Sequence, residues 1–180
     1  MMIKDSIQIA LFCAITAALG LVPAIPIPFS PVPITAQTLG VMLTGALLGA
    51  RRGTLSMLLF MLLVAIGAPL LAGGRGGLAV FFGPTAGFFI AFPLAAFVIG
   101  VMTDRFWTSL GLVSAVIINL IGGVVVVYAI GIPFLAAIAD IPVSQAALGS
   151  LAFIPGDILK ACVAAAITLS VRRGYPNLRD

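Results

Sequence analysis

Histidine is missing from this chain and charge nearly so: 180 residues hold nine basic and five acidic side chains, 8% charged against 62% hydrophobic. A soluble domain carries roughly a quarter charged residues because its surface faces water, so an aqueous globular fold is excluded. Without histidine no imidazole base stands ready to activate a nucleophile, and an intramembrane hydrolase has no visible machinery. The two cysteines, Cys13 and Cys162, lie in separate apolar runs without metal-ligand spacing, so they are read as packing residues and no metal site is expected. No G-x-x-x-x-G-K-S/T run is present, so if transport is energised, another subunit does it. The net charge of +4 does not point to nucleic acid, because the basic residues are scattered at segment ends and form no stripe interleaved with aromatics.

What is there is apolar sequence in long runs, with a mean hydropathy of +1.30. Lipid is therefore the solvent, and about 20 apolar residues span it as a helix. Residues 7–24 follow Lys4 and are long enough to span, and more spans follow, so they are read as helix one rather than as a signal peptide. Alternate prolines through 25–33 remove backbone donors and force extended geometry, which predicts a stiff apolar loop. Helix two is predicted over 35–48, a membrane-surface turn with Arg51 and Arg52 over 49–53, and helix three over 54–70. Arg75 follows among Gly73, Gly74, Gly76 and Gly77, and the breaker Gly83-Pro84-Thr85-Ala86-Gly87 introduces helix four, which runs to about Thr103. Helix five is predicted over 109–130, with Asn119 and Gly122-Gly123 facing a neighbour. Residues 131–150, with Pro133, Asp140 and Pro142, read as a surface connector holding at most one short helical piece, and helix six begins near Ile154. The fold class is thus all-α, a single membrane domain over 1–180 with six transmembrane helices.

Counted by alternate sides, Lys4, Arg51, Arg52, Arg105, Arg172, Arg173 and Arg179 fall on one side, and Arg75 alone sits in a loop on the other. The positive-inside rule then puts both termini in the cytoplasm. The proline loop, Arg75, the 83–87 breaker with Thr85, and the start of helix six converge outside. A bland basic inner face and a chemically rich outer mouth suit capture of something from outside.

The stretch Ile154-Pro155-Gly156-Asp157-Ile158-Leu159-Lys160-Ala161 carries the chemistry. Residues three apart share a helix face, and an ionisable side chain at membrane depth costs about 2.5 to 3.5 kcal/mol on insertion scales. Asp157 offers acceptors and Lys160 donors, a match for a neutral ligand bearing N–H and C=O groups, such as a cyclic urea; the alternative is an internal ion pair that locks helix six to its neighbours. Pro155-Gly156 leave backbone room beside the pair. Arg75 is suited to clamp a carboxylate or is an ordinary solvated loop charge. Its flanking glycines, Gly73 and Gly74 among them, let backbone N–H groups approach a ligand and suit a moving lid. Thr35 and Gln37 bond either a ligand or a neighbouring backbone, and Phe29, Phe81 and Phe82 either pack on an apolar ring or anchor the chain at the interface. Ala10, Ala14 and Ala18 recur every four residues on helix one and form a strip without bulk that meets either the helix's own neighbours or a partner.

Taken in order, Pro31-Val32-Pro33-Ile34-Thr35-Ala36-Gln37-Thr38-Leu39-Gly40-Val41-Met42-Leu43, the glycine run around Arg75, Gly83-Pro84-Thr85-Ala86-Gly87 and Pro155-Gly156-Asp157-Ile158-Leu159-Lys160-Ala161 closely resemble the BioY family across essentially the whole chain. The resemblance implies a six-helix substrate-binding S component of an energy-coupling-factor transporter in the cell (inner) membrane. It implies biotin as ligand and, as partners, a transmembrane T subunit and ATPase subunits, with no cofactor and no catalysis. It places Asp157 and Lys160 in the biotin site, makes the glycine loop and the first outer loop its cover, and gives the Ala10, Ala14 and Ala18 strip to the T subunit. An S component for another small vitamin and a purely structural membrane subunit are the competing readings.

Overall fold

A chain in lipid has to bond its backbone groups internally, and helices do so segment by segment. In the computed structural model, which describes residues 3–28 and 30–175, most of the chain is helical. Phe29 and Arg179, both used above, lie outside the described residues. The elements are α1 (Ile3–Leu19), β1 (Ile25–Ile27), β2 (Ser30–Ile34), α2 (Gln37–Ala65), α3 (Ala86–Ile90), α4 (Phe92–Phe106), α5 (Leu112–Leu120), α6 (Val127–Ala139), α7 (Val143–Ser150) and α8 (Ile154–Gly174). A π-helical stretch, Ile121–Val126, joins α5 to α6. Among the described residues, four stretches, Gln37–Ala65, Ala86–Ser109, Leu112–Ala139 and Val143–Gly174, are long and apolar enough to cross a membrane. Leu62, Phe97, Val125 and Leu159 are exposed on their outer faces, a liability in water and the expected surface in lipid.

By length α2 would make one rod, but Gly49 breaks it with φ +79° and ψ −177°. A Cβ added to Gly53 would lie 3.2 Å from the Cα of Gly45, whereas positions eight apart in a straight helix are separated by about 12 Å. The chain therefore doubles back, and its ends meet: Gln37 Nε2 donates to Leu70 O at 3.0 Å, and Ala72 N–H donates to Gln37 Oε1 at 3.2 Å. This is the turn expected at 49–53, sharpened to one residue. Asp104 completes it by accepting the Ala50 N–H at 3.0 Å. The doubled α2 is the centre of the molecule, with α1, α4 and α8 packed around it and Met42, Met57 and Phe60 fully buried.

Residues 131–150 are not a surface connector. α6 continues through Pro133 to Ala139, and α7 leads through Leu151–Phe153 into α8, with Gly131, Leu135, Ala136, Ala146 and Ser150 buried. Proline is a weak breaker in a membrane helix, where neighbouring groups take up the freed backbone. Pro142 stands before the first turn of α7, where it has no helical hydrogen bond to lose. The proline-rich stretch is extended as expected but paired: β1 and β2 form an antiparallel hairpin with Ile25 opposite Ile34 and Ile27 opposite Ser30. Prolines at 26 and 28, and at 31 and 33, put the missing N–H groups on one edge of each strand and leave the other edge fit to pair. α1 begins a turn earlier than expected and stops at Leu19, and Cys162 is exposed rather than packed, whereas Cys13 is buried.

Contacts sort the charges to two ends. At one, Arg52 meets Asp5 at 3.4 Å and Gln8 at 2.8 Å, and Arg172 bonds Trp107 O with its guanidinium 5.9 Å above the indole. At the other lie the start of α2, the Leu71–Arg75 turn and the first turns of α8.

Candidate functional site

Asp157 and Lys160 stand one helical turn apart at the start of α8, facing α2 and α6. Lys160 Nζ donates to Asp157 Oδ1 and to Thr38 Oγ1, both at 2.9 Å. The Tyr128 hydroxyl donates to Asp157 Oδ2 at 2.7 Å, and the Thr38 hydroxyl lies 3.4 Å from Oδ1. Asp157 is 3% exposed. A carboxylate so deeply buried stays charged only if paired and hydrogen-bonded, and here a cation and a phenol do that from two directions. The two readings of the pair are thus joined: it is an internal ion pair, and it also forms part of a pocket wall.

That pocket opens to the outside, and Thr38, Asp157 and Lys160 stand on its polar side. Its apolar side is built from three rings, Phe88, Tyr128 and Phe153, which meet edge to face in every pairing with centroids 6.1–6.3 Å apart and interplanar angles of 81–90°. Phe88 leans on Gly131, where a Cβ would overlap its ring. Val32 and Ile34 of the hairpin pack in the same cluster and also line the pocket.

Of the residues picked from the sequence, Asp157, Lys160, Arg75, Gln37, Thr35 and Thr85 all reach this pocket. Gln37 has both ends of its amide engaged with Thr16 O, Leu70 O and the Ala72 N–H, so it ties the ends of the α2 hairpin together. Arg75 is exposed at the mouth, its Nε bonded to Ala72 O at 3.2 Å and its backbone paired with Leu71 in both directions. Gly73 and Gly74, with φ of +78° and +69°, form the exposed tip of that turn and stand back from the wall. Phe82 points outward, and Phe81 packs on Phe89. The Pro155-Gly156 step leaves no special room, since a Cβ at Gly156 would make ordinary contact with Ile34 at 3.7 Å. Thr38, Tyr128, Phe88 and Phe153 were not singled out. Thr38 had a signal, lying one residue past Gln37 on the same mouth; the rings, set in apolar runs, had none.

The sequence model of the BioY family matches residues 1–177. This chain belongs to the BioY family. Among BioY relatives, the "Biotin transporter BioY" of Rhizobium etli is 52% identical, over 97% of this chain and 96% of its own length. The "Probable biotin transporter BioY" of Bacillus subtilis is 47% identical over 93% and 89%. A solved structure described as the S-component for biotin from an ECF-type ABC transporter superposes with a TM-score of 0.91 at 38% identity, covering 95% of this chain and 92% of the other. The likeness to BioY proteins therefore takes in the pocket end as well as the bundle.

Proposed function

We propose that this chain is the substrate-capturing subunit of an energy-coupling-factor transporter, binding biotin from the outer face of the cell (inner) membrane and performing no chemistry on it. The observation that carries this reading is the pocket floor, where a carboxylate and an ammonium stand side by side next to three aromatic rings. Biotin joins a neutral ureido group, with N–H and C=O together, to an apolar bicycle and a carboxylate tail; the charged pair answers the first and the rings the second. The names of the relatives and of the solved S-component support the same ligand. Arg75 takes the carboxylate at the mouth, Thr35 and Thr85 supply polar wall contacts, and Gly73 and Gly74 form the tip of the covering turn.

In this reading the whole chain is one domain of six spans. α1 counts as one, the doubled α2 as two, and 86–109, 112–139 and 143–174 as one each. The end holding Arg51, Arg52, Arg105, Arg172 and Arg173 faces the cytoplasm with both termini, following the positive-inside rule. The T subunit and the ATPase subunits are the partners, and Ala10, Ala14 and Ala18 meet the former.

The test is a titration of the purified chain. Biotin should bind saturably while thiamine and riboflavin do not, and biotin amide, which lacks the carboxylate charge, should bind more weakly than the acid. Arg75→Ala should remove most of that preference. No saturable binding of biotin would overturn the reading, and an undiminished preference in the variant would return Arg75 to a solvated loop charge.

A further inference from the structure

At the end of the bundle that holds Arg52 and Arg172, the charges divide into two unlike groups. Arg51 and Arg52 share a cleft with Asp5 and Asp104, so cations and carboxylates there offset one another. Arg105, Arg172 and Arg173, by contrast, form no salt bridge with any described residue. The carboxylate of Asp104, next to Arg105 in sequence, is turned to the Ala50 N–H at 3.0 Å.

Arg172 joins the last turn of α8 to the end of α4: its Nη1 donates to Trp107 O, and its guanidinium lies 5.9 Å above the indole. One bond to a carbonyl leaves the other N–H groups of a five-donor fork to be met. Arg105 and the exposed Phe106 immediately precede that indole, and Arg173 follows Arg172 on the exposed side of α8. Phe97 and Val101 stand at four-residue steps before Arg105 on the same exposed face of α4, an apolar track that leads from the arginines into the membrane. We propose that this seam between the ends of α4 and α8 binds an anionic phospholipid, with its phosphate on the fork of Arg172, Arg105 and Arg173 beside it, and an acyl chain along Phe106, Val101 and Phe97. Three cations without a carboxylate call for an anion, and the apolar track selects an anion that carries a chain. A guanidinium meets two phosphate oxygens at once, and its contacts with Trp107 hold this one in place before the lipid arrives. The site lies at the opposite end of the bundle from the ligand pocket and does not depend on what that pocket binds.

Trp107 is the chain's only tryptophan, so its fluorescence reports on this seam. The experiment places the full chain in phosphatidylcholine vesicles that contain a small fraction of phosphatidylglycerol with brominated acyl chains, which quench tryptophan on contact. The same fraction of brominated phosphatidylcholine is the reference. Brominated phosphatidylglycerol should quench as though enriched about tenfold at the seam. Arg172→Lys keeps the charge and loses the fork, and the double variant Arg105→Gln with Arg173→Gln removes two charges that no described residue bonds; each should cut the enrichment to about threefold or less. Arg51→Gln, a charge at the same end but outside the seam, should leave it unchanged. If Arg172→Lys loosens Trp107 and lowers the melting temperature, the double variant decides. Equal quenching of the native chain by the two brominated lipids would overturn the proposal. So would a loss in Arg51→Gln as large as in the double variant, which would show a diffuse basic band in place of a site. Abolition of the enrichment by inorganic phosphate added to the buffer would make the seam a site for a free anion and would overturn the lipid assignment.

Discussion

Asp157 and Lys160 compensate each other in a place where neither would be tolerated alone. Breaking a buried pair by removing one member leaves an uncompensated charge, whereas replacing both by apolar groups is often neutral. Asp157→Asn should therefore lower biotin affinity by about tenfold to a hundredfold, as expected from about 1.5–3 kcal/mol for a hydrogen bond to a charged group, and should lower thermal stability as well. Adding Lys160→Met to Asp157→Asn should restore the melting temperature without restoring binding. A double variant that binds biotin normally would make the pair structural. These two residues were legible in the sequence because charge inside an apolar helix has no cheap explanation. Tyr128, Phe88 and Phe153 were not, because an aromatic ring in an apolar run looks the same whether it lines a pocket or faces lipid. Their convergence depends on how α3, α6 and the start of α8 are rotated about their axes, which residue type alone does not state.

At the level of elements, breakers were informative where they act through geometry and misleading where they act through the loss of one hydrogen bond. The turn between Gly49 and Gly53 was legible because arginines and glycines together have no place in mid-membrane. Pro133 and Pro142 suggested a connector and instead lie within and just before helices. The π-helical stretch Ile121–Val126 was hidden for another reason. A π turn takes up extra residues and shifts the face presented beyond it, so no single periodicity runs from α5 through α6, and Tyr128 follows directly after that shift. The packing of α3 on α6 depends on Gly131, which leaves space for the Phe88 ring. Gly131→Ala should push Phe88 into the pocket, lower stability by about 1–3 kcal/mol as overpacking does, and weaken biotin binding. Gly156→Ala, at a position where a Cβ finds ordinary contact, should leave binding intact. Equal binding by the two variants would mean that the ring wall does not shape the site.

For the molecule as a whole, the outward face of α1 decides how capture can be coupled to energy. Ile9, Cys13 and Thr16 are the buried side of this helix, while Ala10, Ala14 and Ala18 are exposed. The strip is therefore not packed against the chain's own described neighbours, and it faces outward, towards lipid or a partner. Lipid gives a helix no hydrophobic reason to associate, so close approach through small residues is a main source of affinity between membrane helices. Ile7 and Leu11, 62% and 54% exposed, lie beside the strip and would pack on any helix that entered it. Under the proposed function that helix belongs to the T subunit. Ala14→Trp places a large ring in the middle of the strip and touches none of the pocket residues, so the purified variant should fold, keep its melting temperature and bind biotin with native affinity. It should fail to co-purify with the T subunit and the ATPases and should lose ATP-driven biotin uptake. Co-purification and uptake at native levels would leave the strip facing lipid and move the coupling surface to another face of the bundle. A loss of biotin affinity in the isolated variant would instead mean that α1 communicates with the pocket through Gln37, whose amide bonds the carbonyl of Thr16 on the buried side of the same helix.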